Sequence, residues 1–275
     1  MTDLYGVIGN PIDFSKSPMI QSSFAAQFGH DIDYIKILGE IGGFAAQIDA
    51  FRAEGGRGLN ITAPFKLDAF AYATDLSERA RRAGAVNAMK FEDGRAYAEN
   101  FDGVGLTRDI TVNLGVAMRG KRMLVLGAGG AARGALLPFL AEQPAELVLV
   151  NRTASKAAEL GAIFAGAGNL MVYGYDELAD ITETFDLVIN ATSASLRYEL
   201  PPIPPNAFHG AAIAYELAYA KGRTPFLQAA GTAGVPKLAD GVGMLVEQAA
   251  EAFTWWRGAR PQTAPMIAEM TVPLT

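Results

Sequence analysis

An α/β fold in two domains is predicted by three features of the sequence. Strand-like and helix-like patterns alternate along the chain in two successive series. The 275 residues amount to about two domains at roughly 100–200 residues each, and half of them are hydrophobic, enough for a large buried core. A glycine-rich turn between the first strand and first helix of the second series marks that series as a doubly wound parallel sheet.

In the first series LYGVIG, IDYIKIL and GLNIT read as short strands, and PMIQSSFAAQF, GGFAAQIDAFRAE, PFKLDAFAYA and SERARRA read as helices, an order that favours parallel pairing. Ser17 is the expected N-cap of the first helix, with Pro18 at its first position and Ile20, Phe24 and Phe28 on one face. Pro64 is suited to starting the third helix. VNAMKF and RAYAEN flank Glu92-Asp93-Gly94, so residues 86–100 form a β-hairpin. The helical stretch GVGLTRDITVNLG then leads to the basic RGKR.

The second series opens with the strand RMLVLG and continues through a helix from about residue 131, the strand ELVLVN, a helix from Ala154, and the strands LMVY, FDLVIN and AAIAYEL. PPIPP, at 201–205, interrupts as a loop, since the patterns resume beyond it. A last helix over about 243–257 is apolar on one face and is expected to return to the first domain. The expected domains are therefore 1–102 with the C-terminal part from about 243 to 275, and 103–242.

Composition excludes several functions. With 23 basic and 29 acidic residues the formal charge is −6, which argues against nucleic-acid or anionic-membrane partners. Cysteine is absent, so there is no disulfide, thiolate metal site or cysteine nucleophile. The two histidines, His30 and His209, adjoin glycines in loop-like sequence and are expected at the surface; no metal site is expected. The start, MTDLYGVIGNP, contains no basic segment or long apolar run, so neither signal peptide nor membrane span is read and a cytoplasmic location is expected. Oligomeric state is not legible, and a homodimer stays open.

LVLGAGGAARGAL places Gly127, Ala128, Gly129, Gly130, Ala131 and Ala132 between strand and helix, matching Gly-x-Gly-x-x-Ala. Gly127 permits the tight turn, Gly129 lets backbone approach a pyrophosphate, and free N–H groups at the helix start face the anion. Fingerprints that bind NAD usually carry an acid about 20 residues on, for the ribose 2′-hydroxyl. Here the strand ends in Asn151, then Arg152, Thr153 and Lys156. An acid there would repel a 2′-phosphate, whereas an arginine can grip one bidentately with a hydroxyl and an ammonium beside it, so the cofactor read from these residues is NADP. The alternative is a helix-capping Thr153 beside a solvated arginine.

On the other domain, Ser15 and Ser17 stand at a helix start that suits a small carboxylate, although Ser17 is equally explained as a cap. Asn60, Thr62 and Lys66 surround the end of the GLNIT strand, and Lys66 in a first helical turn is odd, because the helix dipole disfavours a cation there. Asp102 precedes a glycine after the hairpin, where a turn acid is commonplace.

SKSP, NITAPFK, GAVNA, NFDGVGL, GAGGAAR, NRTASK, NATS, KGRTPF and ADGVGMLVEQAA occur in that order, and over nearly its whole length the chain resembles the bacterial shikimate dehydrogenases. The resemblance implies NADP-dependent, reversible reduction of 3-dehydroshikimate to shikimate, by a two-domain enzyme with an N-terminal substrate domain, a Rossmann-type NADP domain and the site in the cleft. It implies Ser15, Ser17 and Tyr219 for the substrate carboxylate, Thr62, Asn87 and Gln248 for ring hydroxyls, Lys66 and Asp102 as the catalytic pair, and Leu217 and Gly241 at the nicotinamide end. The chemistry agrees: hydride delivery to a ketone leaves an alkoxide, which needs a positioned proton donor that also works in reverse.

Three positions depart from the pattern. Phe101 stands where a small threonine is usual, Ala88 replaces threonine in GAVNA, and ASLRYEL follows NATS where glycine is more usual. Phe101 either turns into the core or faces the substrate and alters its choice. A paralogue acting on quinate or a related cyclohexane carboxylate is thus the nearest alternative; a non-catalytic NADPH sensor is disfavoured because Lys66 and Asp102 are both present.

Overall fold

The apolar runs of the first hundred residues fold as strands β1 (Asp3–Gly9), β2 (Ile32–Leu38) and β3 (Gly56–Ile61), alternating with helices α1 (Ser17–Gln27) and α2 (Phe44–Ala53). Helix α3 (Lys66–Tyr72), the short β4 (Asp75–Leu76) and α4 (Glu78–Ala83) follow, then the hairpin β5 (Ala88–Glu92) and β6 (Arg95–Glu99), and α5 (Asp102–Arg108). This computed structural model describes residues 2–178, 183–219 and 222–274. Two units are distinguished, Met1–Gly105 with Val246–Met266, and Leu106–Leu245 with Ile267–Thr275.

The first unit's sheet has the order β2-β1-β3-β5-β6-β4. The expected parallel pairing holds for β1 with β2 and β3, but β5 runs antiparallel to both β3 and β6. The reversal between β5 and β6 is made by the two-residue turn Asp93-Gly94, both residues at positive φ (50° and 75°), as such hairpin turns require. Helix α1 begins one residue earlier than its sequence suggests. Lys16 is its N-cap, in αR conformation and without a side-chain cap bond; Ser17 is therefore the first helical residue and gives its N–H to Ser15 Oγ at 3.3 Å. Pro64 likewise lies outside α3, which starts at Lys66 after the cap residue Phe65.

The second unit contains β7 (Arg122–Leu126), α6 (Gly130–Ala141), β8 (Glu146–Asn151), α7 (Ala154–Ile163), β9 (Leu170–Gly174) and α8 (Tyr175–Leu178), then β10 (Leu187–Asn190), β11 (Ile213–Glu216), α9 (Pro225–Thr232) and β12 (Lys237–Ala239). Its sheet is β12-β11-β10-β7-β8-β9 with every pairing parallel. Alternate residues of β7 enter opposite cores: Met123 and Val125 join one apolar cluster, Leu124 and Leu126 the other. Such burial on both faces is what continuous apolar strands encode. Strand order reverses between β7 and β10, the switch point beyond whose carboxyl ends ligands bind in open α/β sheets.

Between the sheets' sequences, α5 continues into a π-helical turn, Asp109–Asn113. Helix α10 (Val242–Arg257) and α11 (Ala264–Met270) close the chain. From Val246 onward α10 packs in the first unit: Gln21 Nε2 donates to Ala249 O at 3.1 Å, Phe253 meets Phe24 edge-on at 6.0 Å, and Trp256 Nε1 donates to Met89 O at 2.9 Å. Among the described residues no helix is long and apolar enough to cross a membrane. Lys221, within the KGRTPF motif, lies outside the described residues.

Candidate functional site

The turn after β7 has the conformation its glycines foretell. Gly127 has φ +101°, in the region that favours glycine, and a Cβ added to Gly129 or Gly130 would meet nothing within 4 Å, so the backbone there is open to a close-lying ligand. Gly129 is the N-cap of α6 and supplies no side-chain cap, which leaves the first N–H groups of the helix available for an anion.

A pocket of about 600 Å³ lies over this turn. Gly127, Ala128, Gly129, Gly130 and Ala131 form one side of it. Asn151, Arg152, Thr153 and Lys156 form another, and Leu217 joins the far wall. Asn151 ties two of these parts together: its Oδ1 accepts from the Ala128 N–H at 3.1 Å and its Nδ2 donates to Thr153 O at 2.9 Å. Thr153 is the N-cap residue of α7 yet makes no side-chain cap bond, so the capping alternative does not consume its hydroxyl. Gly241 is not in the lining but is packed on it; a Cβ there would lie 2.1 Å from Leu217 O.

Among the lining residues that sequence reading missed, Tyr175 and Arg197 bring donor groups. Tyr175 opens the short α8 behind Arg152, and its buried hydroxyl has no partner. Burial pushes this phenol up to about 12, with the Arg152 charge partly opposing, so it is a hydrogen-bond donor at neutral pH. Arg197 comes from the loop after β10 and is held by Glu199 Oε2 through Nε at 3.1 Å and Nη2 at 2.8 Å. Neither carries a local sequence signal, because each reaches the pocket through tertiary placement. With Arg152 and Lys156, an unpaired phenol and an exposed glycine backbone, and with Arg197 paired to Glu199 in the same lining, the residues present fit a phosphorylated dinucleotide.

The first unit gathers a second set. Lys66 starts α3, Asp102 starts α5, Asn87 immediately precedes β5 and Gln248 lies on α10. Lys66 Nζ donates to Asp102 Oδ2 at 2.5 Å, and Asn87 Nδ2 donates to Asp102 Oδ1 at 2.7 Å and to Gln248 Oε1 at 3.2 Å. Asn87 cannot be turned round, since its Oδ1 accepts the Phe101 N–H at 2.8 Å. The Asp102 N–H is received by Asn100 Oδ1 at 3.1 Å. The carboxylate thus offsets the unfavourable dipole at Lys66, whose side chain is 34% exposed against 17% for Asp102. An ammonium held by a carboxylate on a side chain that is one third exposed can meet a ligand oxygen.

Nearby, Ser17 is buried and hydrogen-bonded to Tyr34, whose hydroxyl donates to Asn60 Oδ1 at 2.7 Å; burial raises the Tyr34 phenol well above its usual value, and the Ser17 bond lowers it by less. Ser15 is half-buried, and Thr62 follows the end of β3. Tyr219 belongs to the second unit and is 42% exposed. Phe101 turns into the core: it is 4% exposed, packs with Ala88 and Ala252, meets Trp255 edge-on at 5.7 Å and lies under the Arg79 guanidinium at 5.6 Å. Two of the three departures, Phe101 and Ala88, thus pack together, a large ring lodged beside an alanine. His209 is exposed; His30, expected at the surface, is instead half-buried, stacked on Phe253 at 5.9 Å, and accepts from Arg257 Nε at 3.2 Å.

Three family models match the chain: the shikimate dehydrogenase substrate binding domain over residues 7–89, shikimate / quinate 5-dehydrogenase over 110–198, and the shikimate 5'-dehydrogenase C-terminal domain over 241–271. A shikimate dehydrogenase (NADP(+)) of Nitrosospira multiformis is 52% identical over 97% of this chain and 96% of its own. Among solved structures, an Ael1 enzyme from Pseudomonas putida is 55% identical with a TM-score of 0.97 over the whole of both chains. A shikimate 5-dehydrogenase from Listeria monocytogenes, in complex with shikimate and NAD, is 25% identical with a TM-score of 0.88 over 98% of this chain and 96% of that one.

Proposed function

The chain belongs to the shikimate dehydrogenase family, and we propose that Lys66 and Asp102 carry that family's reaction in it: the NADP-dependent, reversible reduction of 3-dehydroshikimate to shikimate, a step towards chorismate and the aromatic amino acids. The observation that carries this reading is the Lys66–Asp102 pair, fixed on the carboxylate side by Asn87, with the Lys66 side chain partly exposed.

NADPH, when bound, supplies the hydride. Lys66 Nζ stabilises the oxygen on which negative charge develops and gives it a proton; in the oxidative direction the same nitrogen receives the proton back. Asp102 holds the ammonium through Oδ2 and, with Asn87 on Oδ1, keeps its own orientation as charge shifts. Asn87, Gln248 and Thr62 supply hydrogen-bonding groups for the ring hydroxyls, and Ser15 and Ser17 for the carboxylate. For Tyr219 the support is the motif match alone.

On the cofactor side, the Gly127–Ala131 turn takes the pyrophosphate. Arg152, Thr153 and Lys156 take the 2′-phosphate, while Asn151 braces the turn. The backbone at Leu217 and Gly241 lies at the nicotinamide end. In this reading the enzyme works in the cytoplasm, as the sequence leads one to expect.

The test is a two-by-two steady-state assay of shikimate and quinate against NADP and NAD. Shikimate with NADP should have the highest kcat/KM. The family description covers quinate as well, and a higher kcat/KM for quinate would move the substrate assignment while leaving the reaction class intact.

A further inference from the structure

Glu216, the last residue of β11, is fully buried and has no part in the chemistry above. Its Oε2 accepts from Asn190 Nδ2 at 2.9 Å, from Thr224 Oγ1 at 3.2 Å and from Ser195 Oγ; its Oε1 accepts from the Ala218 N–H at 3.2 Å. These four donors come from the end of β10, the cap of α9, the loop after β10 and the loop after β11. We propose that Glu216 is a positioning residue for the dinucleotide, its carboxylate fixing the pocket wall formed by residues 191–194 and 217–218.

The hydrogen bonds lead from this carboxylate to the pocket in two directions. Asn190, held at Nδ2 by Glu216, uses Oδ1 to accept from the Thr192 N–H at 3.1 Å and from Thr192 Oγ1 at 2.7 Å. Thr192 Oγ1 in turn receives the Ala194 N–H at 3.2 Å. Ala191, Thr192 and Ala194 line the pocket, and the methyl of Thr192 and the carbonyl of Ala191 lie 3.0 and 3.1 Å from where a Cβ on Gly127 would stand. The same turn therefore backs the glycine loop. In the other direction the Ala218 N–H on Oε1 fixes the bend after β11, the Leu217 N–H goes to Asn190 O at 3.0 Å, and both Leu217 and Ala218 line the pocket.

All four partners donate. A carboxylate accepts on both oxygens, whereas an amide turns an NH₂ towards at least one donor, so the site is specific for an acid and not merely for a group of that size. Burial raises the Glu216 carboxyl above the usual range, and the bonds from Ser195, Asn190, Ala218 and Thr224 oppose the rise. Two of the family-like segments, NATS through Asn190 and KGRTPF through Thr224, supply donors to this one carboxylate.

The inference rests on the pocket being the NADP site. Its test is the full-length Glu216→Gln enzyme, with dissociation constants for NADPH and NADH from fluorescence titration, KM for shikimate, and the thermal midpoint. Both dinucleotides should weaken, by about ten-fold where binding must restore the order that one charge-assisted hydrogen bond gave the wall, with their ratio unchanged because Arg152 is untouched. KM for shikimate at saturating cofactor should stay within about two-fold, and Glu216→Asp, which keeps two acceptor oxygens, should recover part of the loss. A folded Glu216→Gln protein that binds both dinucleotides like the parent overturns the proposal. Should that variant fail to fold, Ser195→Ala decides: weaker dinucleotide binding at an unchanged thermal midpoint supports it, and unchanged binding overturns it. Arg152→Ala, run alongside, separates the premise: equal effects on NADPH and NADH there would remove the 2′-phosphate reading without bearing on Glu216.

Discussion

Asn87 is the sharpest place to perturb the proposed chemistry, because two of its amide's bonds, to Asp102 and from Phe101, can be separated. Nδ2 donates to the Asp102 carboxylate at 2.7 Å, and Oδ1 receives the buried Phe101 N–H at 2.8 Å. The first bond is to a charged group, worth about 1.5–3 kcal/mol, and Asn87 is only 2% exposed, so solvent screens it little. At about 1.4 kcal/mol per decade, Asn87→Ala should lower kcat/KM by roughly ten- to a hundred-fold. The second bond governs stability: an orphaned buried N–H costs about 1–3 kcal/mol, a fall in thermal midpoint of roughly 2–10 °C. Asn87→Asp separates the two. It restores an acceptor for Phe101 but sets a second carboxylate against Asp102, so it should recover stability more than activity, and its activity should improve on the acid side, where one of the two carboxyls is protonated. The assay is NADP reduction by shikimate at 340 nm with NADPH affinity measured separately. Asn87→Ala with kcat/KM within two-fold of the parent would refute the claim that this amide orients Asp102.

Arg152→Ala should raise KM for NADPH by about ten- to a hundred-fold, from one charge-assisted pair at roughly 1.5–3 kcal/mol, and leave that for NADH nearly unchanged; an equal effect on both removes the 2′-phosphate role. Gly105→Ala should destabilise the first unit by about 1–3 kcal/mol, because the added Cβ would lie 2.6 Å from the Gln248 backbone nitrogen; a thermal midpoint equal to the parent's would contradict the close helix contact. For Asp186, burial raises the carboxyl, but the Arg122 N–H and Lys121 more than offset it and hold it below the usual range. An acid lowered in the folded state adds stability above its unfolded value and loses it as pH falls through the folded one. Denaturant unfolding below about pH 4 should therefore show a shallower acid-side loss in Asp186→Asn than in the parent; the contribution is modest, since a third of the side chain is exposed.

The parts of the fold read correctly from sequence are those that local patterns determine. The β7 turn, the Asp93-Gly94 hairpin and the two-faced apolar strands each follow from residues a few positions apart. The entry to α1 was misread by one residue because the conformation of Lys16, invisible in the residue types, decides where the helix begins. Phe101 allowed two orientations until its neighbours Ala88, Ala252 and Trp255 were known, and these come from a strand and a helix remote in sequence. Tyr175 and Glu216 carried no signal for the same reason. A phenol after Gly174 and an acid at the end of a strand acquire meaning only when parallel pairing sets β8 beside β9 and β10 beside β11. The Lys66–Asp102 contact, 36 residues apart in the chain, was reached through family likeness and not through spacing.

The central claim, that Lys66 moves the proton while the second unit independently binds the cofactor, is tested most directly by Lys66→Ala assayed for turnover and NADPH affinity in the same preparation. The account predicts a kcat lower by at least about a hundred-fold, the scale of a lost general acid, with the NADPH dissociation constant unchanged. Near-parental turnover, or a loss of NADPH binding in step with kcat, would contradict it.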